Sequence, residues 1–194
     1  MDLKEYILPK ASMIGGWYIP SLICDELITI FKNNKKLQRA GEIGAVGTSS
    51  PTVDLKVKEC LELSIEPSCN DPSFIQYLNH LKNVLKLYTK KYPEVKNLDK
   101  FGMTEAPHIQ YYKAGQGFKV WHFERCLKSN RCLVFMTFLN DVPKGGTHFK
   151  YQDLTVPAKK GLTLMWPPDF THTHKGQITK KYEKYILTGW LGYI

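Results

Sequence analysis

Hydrophobic positions recur at two different periods along this chain, helical before about residue 92 and strand-like after Pro107. From Ser21 to Asn33, SLICDELITIFKN places Leu22, Ile23, Leu27, Ile30 and Phe31 on one helical stripe, with Ser21 as a candidate N-cap and Asp25 and Glu26 in the first turn. A second helix is predicted up to Lys90-Lys91. Asp71 or Ser73 can cap it, Pro72 sits near its start, and Phe74, Ile75, Leu78, Leu81, Leu85 and Tyr88 recur at helical spacing. Between the two, residues 39–67 include GEIGAVGTSSPTVD, whose glycines and serines predict a long loop. After Pro107 come HIQYY, FKVWHF, RCLVFMTFL, THFKYQ, GLTLMWP and KYILTGWLGYI, short β-prone segments broken by glycine, proline and polar residues. Many short strands at close spacing predict a sandwich or barrel. The expected fold is mostly β with flanking α: a double-stranded β-helix (jelly-roll, cupin-like) core with the N-terminal helices packed on one side.

The length of 194 residues suits one well-buried domain. Residues 1–105 are expected to form a helical N-terminal support region and residues 106–194 the jelly-roll core that carries the site. The opening MDLKEYILPK has no apolar run of signal-peptide length, and no stretch is long and apolar enough to span a bilayer, so a soluble cytoplasmic protein with no membrane partner is expected. Five scattered cysteines without a CxxC pair signal neither a disulfide framework nor a thiolate zinc site. The net charge of +9 comes mainly from lysines spread in short groups. Charge alone promises only non-specific attraction, so nucleic acid is not the expected partner.

The chemistry concentrates in the C-terminal half. His122 and Glu124 lie two apart in FKVWHFE, which reads as a strand, so both face one side while Phe123 turns to the other. H-x-E alone is weak and also describes an ordinary surface pair. WPPDFTHTHKG adds His172 and His174, either of which would complete the two-histidine, one-carboxylate set of a mononuclear non-haem iron(II) oxygenase site. His148 and His108 qualify by residue type but lack comparable context. Lys184, at the mouth of an apolar strand, is either a strand-edge lysine in solvent or a buried cation that needs an anion.

Taken in order, IQYYKAGQGFKVWHFE, RCLVFMTFLNDVPKGGTHF, KKGLTLMWPPDFTHTHKG and KYILTGWL resemble the iron(II)- and 2-oxoglutarate-dependent dioxygenases of the prolyl 4-hydroxylase-like branch. The resemblance implies Fe(II) and 2-oxoglutarate as cofactor and co-substrate, with ascorbate as a reductant that keeps the iron ferrous. It makes His122, Glu124 and His174 the iron ligands, His174 being preferred because Gly176 and Lys184 follow at the family's spacing. His172 is then an alternative ligand or a hydrogen-bond partner of one. Lys184 and Tyr112 would hold the distal carboxylate of 2-oxoglutarate, with Tyr111 pointing the other way. Gly145, Gly146, Thr147 and Phe149 match the family's turn and strand, where the glycines serve backbone geometry, and Trp190 matches a last-strand tryptophan read here as a core aromatic. The family's usual carboxylate is aspartate, and Glu124 is one methylene longer. A small residue at that position would mark a halogenase, which Glu124 argues against.

The activity implied is hydroxylation of an unactivated C–H bond, of a prolyl residue in a peptide or protein or of a free amino acid, using dioxygen and releasing succinate and carbon dioxide. Three alternatives compete. A nucleic-acid oxidative demethylase on the same barrel usually anchors its co-substrate with arginine. A non-catalytic jelly-roll binding module has no need of all four site residues. A zinc hydrolase would leave Lys184 unexplained.

Overall fold

A computed structural model of the chain describes residues 3–44, 51–125 and 129–194, and within them the period-two patterning after Pro107 becomes antiparallel strands. In chain order the elements are β1 (Gly15–Tyr18), α1 (Ser21–Asn33), β2 (Arg39–Ala40), β3 (Ile43–Gly44), β4 (Pro51–Thr52), β5 (Leu61–Ser64), α2 (Pro72–Lys91), β6 (Phe101–Gly102) and β7 (His108–Tyr112). They continue with β8 (Arg131–Phe138), β9 (Val142–Phe149), β10 (Leu154–Ala158), β11 (Leu162–Trp166), β12 (His174–Gly176) and β13 (Lys184–Tyr193). The large sheet runs β1-β11-β8-β13-β7-β5-β2, with β6 also pairing β13, and a small sheet runs β10-β9-β12. The fold is the expected mostly-β jelly roll with helices on one side.

Alternation along β13 shows how the two layers arise. Ile186 and Trp190 enter the core between the sheets, with Val134, Met136 and Phe138 of β8 and Phe149 and Val156 of the small sheet. Tyr185, Leu187 and Leu191 enter the second core, against the helices. There Phe74, Tyr77, Leu81, Val84 and Tyr88 of α2 and Ile23, Cys24, Leu27 and Phe31 of α1 are buried. Each fully buried large side chain contributes roughly 1.5–3 kcal/mol. The polar groups on this face are paired: the Tyr77 hydroxyl lies 3.1 Å from Thr137 Oγ1, which lies 2.8 Å from Thr163 Oγ1.

Several local expectations are corrected. Asp71 caps α2, accepting from the Ser73 and Phe74 amides at 2.9 and 3.3 Å, but Ser21 is the first residue of α1 rather than its cap, and Asp25 and Glu26 lie beyond its first turn. The buried stripe of α2 runs through Tyr77 and Val84, leaving Ile75 42% exposed, and Leu22 of α1 is likewise exposed. The 39–67 stretch is not all loop, because β5 joins the large sheet beside β7. Residues 1–105, expected as helical support, thus also supply β1, β2 and β5 to that sheet. Residues 45–50, in the middle of the segment read as a glycine-rich loop, lie outside the described residues.

Candidate functional site

His174 opens β12, and its backbone exchanges two hydrogen bonds with His122, N to O at 3.0 and 2.8 Å. FKVWHFE is therefore extended but not a regular strand. Its pairing is confined to this bridge and one between Phe118 and Lys58, because the Glu124 and Arg125 amides turn to the Pro168 carbonyl instead. The predicted facing survives: His122 and Glu124 point inward, while Phe123 is 48% exposed.

Ligand-capable atoms of His122, Glu124 and His174 lie within 4.8 Å of one another. Glu124 Oε1 is 3.6 Å from His122 Nε2 and 3.4 Å from His174 Nε2. Each Nδ1 faces a backbone carbonyl, Val120 O at 3.2 Å from His122 and His172 O at 2.9 Å from His174. A carbonyl only accepts, so Nδ1 carries the proton and the neutral imidazole turns a bare Nε2 lone pair inward. Two such lone pairs and a carboxylate facing one point repel each other unless a cation lies between them, and this donor set fits a divalent metal. Burial, reinforced by His174, lowers the pKa of His122 and favours the neutral ring. Burial alone would raise that of Glu124, and positive charge at the two histidine Nε2 positions, the place a bound cation would take, holds its carboxyl well below the usual range.

The second Glu124 oxygen is fixed from outside. Trp190 Nε1 donates to Oε2 at 3.1 Å, and an Arg131 guanidinium nitrogen lies 3.7 Å away. Arg131 also donates to the Glu124 carbonyl at 2.8 Å, pairs with Glu105, and lies over the Trp190 ring at 3.6 Å from its centroid. Trp190 is thus more than a core aromatic, and the extra methylene of Glu124 is accommodated by this clamp. Phe118 stacks on His122 at 3.5 Å between centroids, and Phe149 and Trp166 wall in His174.

His172 goes elsewhere. It ends a 3-10 turn (Phe170–His172) rather than sharing a strand face with His174, and its Nε2 lies 3.0 Å from the Ser12 carbonyl. His108 packs edge-on to Trp190, and His148 bonds Thr155.

Lys184 is buried at 5% exposure. Its ammonium donates to Gly145 O at 3.1 Å and Gln177 O at 3.2 Å, and it lies 5.1 Å from the Tyr112 ring centroid. Burial, with no carboxylate among the described residues to offset it, pulls its pKa down to about 8. Tyr112 is its register partner across β7 and β13, while Tyr111 faces the helices. The glycines frame this pocket by close approach. A Cβ on Gly146 would lie 2.1 Å from Val156 O, and one on Gly145 2.3 Å from Val142 Cγ1. Thr147 is buried beside them.

Residues 107–192 match the family model described as the 2OG-Fe(II) oxygenase superfamily. These residues are the part of the chain that carries the site, and the match makes it a 2-oxoglutarate- and iron(II)-dependent oxygenase. Iron(II) and 2-oxoglutarate are accordingly the cofactor and co-substrate of this oxygenase. Its fold is prolyl 4-hydroxylase-like. The viral collagen prolyl hydroxylase of Paramecium Bursaria Chlorella virus-1, solved with 2OG, is 17% identical with a TM-score of 0.69, covering 94% of this chain and 97% of that one. A Pseudomonas putida prolyl-4-hydroxylase is 14% identical with a TM-score of 0.67, covering 95% and 98%. A Trichoplax adhaerens prolyl hydroxylase, solved with a hypoxia inducible factor peptide fragment, is 12% identical with a TM-score of 0.68, covering 89% and 77%. A search of curated proteins gives no sequence match. Among the described residues of the oxygenase, no helix is long and apolar enough to cross a membrane.

Sequence reading missed four residues that bear on the site: Lys58, Glu62, Gln110 and Arg131. Gln110 had a local signal, since it alternates with Tyr112 and so shares its inward face. Lys58 and Glu62 had none, because Glu62 reaches the site through pairing of β5 with a strand nearly fifty residues later and Lys58 comes with it as its ion-pair partner.

Proposed function

We propose that this oxygenase is a hydroxylase acting on a prolyl residue of a peptide or protein, or on a free amino acid, with His122, Glu124 and His174 holding iron(II) and Lys184 receiving the distal carboxylate of 2-oxoglutarate. The observation that carries the reading is the convergence of two Nε2 lone pairs and the Glu124 carboxylate on one point, in a fold whose facing sheet buries an ammonium with no carboxylate partner among the described residues. Iron(II) with 2-oxoglutarate and dioxygen supplies the oxidising chemistry: 2-oxoglutarate becomes succinate and carbon dioxide, and the second oxygen atom enters the substrate C–H bond.

The chain's own part is orientation and exclusion. The Val120 and His172 carbonyls hold the Nδ1 protons and so aim both Nε2 atoms inward. Trp190 and Arg131 hold one Glu124 oxygen so that the other faces the histidines. Phe118, Phe149 and Trp166 keep water from the ligand side. The peptide reading is supported by the prolyl hydroxylases whose fold the chain shares, one of which was solved with a peptide.

The test is anaerobic loading with iron(II), then exposure to air with 2-oxoglutarate and a panel of proline-containing peptides and free proline. Succinate should form together with a substrate heavier by one oxygen atom, and both should vanish in His174→Ala. Absence of 2-oxoglutarate binding by the metal-loaded protein would overturn the proposal.

A further inference from the structure

Gln110 is a buried amide on a wall otherwise lined by Tyr112, Val134, Met136 and Ile186. Its partners assign the direction of every hydrogen bond in a relay that ends at the co-substrate pocket. Glu62 Oε1 receives the Lys58 ammonium, which also donates to the Glu42 carbonyl at 3.1 Å, and Glu62 Oε2 receives the Glu42 amide at 3.3 Å. A carboxylate paired with an ammonium is acceptor only, so the group that Gln110 turns toward it at 2.7 Å is its Nε2. Gln110 Oε1 then faces Tyr112 at 2.6 Å, and because that oxygen can only accept, the Tyr112 hydroxyl must donate to it.

A phenol has one proton, so with Gln110 accepting it and the Cys60 thiol beside the same hydroxyl, Tyr112 has no proton left for an incoming carboxylate. Lys184 has three N–H groups, and two are spent on Gly145 O and Gln177 O. One ammonium N–H therefore remains to meet an incoming carboxylate. For Tyr112 to donate to that carboxylate as well, its hydroxyl must leave Gln110, whose Oε1 is then stranded in a buried site while Nε2 stays pinned by Glu62.

We propose that Glu62, acting through Gln110, is a positioning residue that turns the Tyr112 proton away from Lys184 and thereby weakens the binding of 2-oxoglutarate. The inference rests on the assignment of Lys184 and Tyr112 to the co-substrate pocket. Lys58 and Glu62, contributed by the segment before the jelly-roll core, thus set the co-substrate affinity of a site they do not touch.

The test is the dissociation constant of 2-oxoglutarate, measured by anaerobic calorimetry on the Mn(II)-loaded full chain. Gln110→Leu removes the competing acceptor and tightens binding by about fivefold or more. Gln110→Met, which keeps the side-chain length, does the same and serves if the leucine variant folds poorly. Adding Tyr112→Phe to Gln110→Leu abolishes the gain, and Tyr112→Phe alone changes the constant by a smaller factor. Lys58→Met/Glu62→Gln, which no longer imposes a direction on the Gln110 amide, tightens binding by less than Gln110→Leu. A loss of packing would weaken binding, so the sign separates positioning from a merely structural role. Unchanged or weaker binding in both Gln110 variants, or a gain that survives Tyr112→Phe, overturns the inference, and no gain in the Lys58/Glu62 variant overturns the role of Glu62. No binding by the wild type would overturn the co-substrate reading itself and the inference with it.

Discussion

Lys184 carries a charge that the fold solvates with two carbonyls and, among the described residues, with no carboxylate, and on the proposed assignment this ties co-substrate binding to pH. Burial lowers its pKa from 10.5 to about 8, a cost of about 3 kcal/mol for keeping the ammonium charged without an anion beside it. Because this pKa lies below that of the unfolded chain, the cost is fully present below about pH 8 and is relieved as pH rises toward 10.5. A bound dicarboxylate reverses the balance, since its distal group supplies the missing counter-charge and raises the Lys184 pKa again. Binding of 2-oxoglutarate therefore takes up a proton above pH 8. Its dissociation constant should be flat below about pH 7.5 and rise about tenfold between pH 7 and pH 9. Anaerobic calorimetry on the Mn(II)-loaded protein measures this, and two variants isolate the cause. Lys184→Arg, whose guanidinium stays charged, should give a flat profile, and Lys184→Met should lose most of the affinity at every pH. A wild-type profile that stays flat from pH 7 to pH 9, or a slope that persists in Lys184→Arg, would refute the reasoning.

The two histidines of the THTH run should separate cleanly. His174→Ala should abolish iron(II) binding in an anaerobic titration, whereas His172→Ala should keep it and lose about 1–3 kcal/mol of stability in denaturant melts, because the Ser12 carbonyl is left unpaired. Trp190→Phe removes the donor to Glu124 Oε2 while keeping an aromatic ring, and should weaken metal affinity about tenfold in a competition titration with a chelator. Asp71→Ala should cost about 1 kcal/mol of stability, read as a shift in denaturation midpoint with no change in metal binding, because the Ser73 and Phe74 amides lose their cap far from the site.

What was legible in the chain beforehand follows the range of the interactions concerned. KYILTGWLGYI was legible as a strand because its composition is a local property, and its alternation is what divides its side chains between the two layers. Helix spans were equally local, but the exact buried face of α2 was not, since Tyr77 is drawn inward by a hydroxyl partner on β8, sixty positions away. FKVWHFE had the composition of a strand yet pairs only at isolated bridges, because amides near its end find the Pro168 carbonyl rather than a neighbouring strand. The prolines before His172 likewise lead into a 3-10 turn that alternation could not foresee.

The same distinction divides the site. Residues that would touch metal or co-substrate sit in short motifs, so His122, Glu124, His174 and Lys184 could be picked out together once those motifs were seen to resemble a known family's. Residues that orient them need only one hydrogen bond of the right direction, and that bond can come from any segment the fold brings near: Arg131 reaches Glu124 across seven positions, but Glu62 reaches Gln110 across forty-eight. Such a residue leaves no periodic trace, because nothing in its own neighbourhood depends on it. The orienting groups of this oxygenase are consequently where its own character lies. Glu124, the proposed ligand, is held by Trp190 and Arg131, and on the inference above the proton of Tyr112 is directed by a carboxylate from outside the family-matched region. Both devices act on direction rather than contact, and so each should be detected as a change in affinity or its pH dependence before it is detected as a loss of fold.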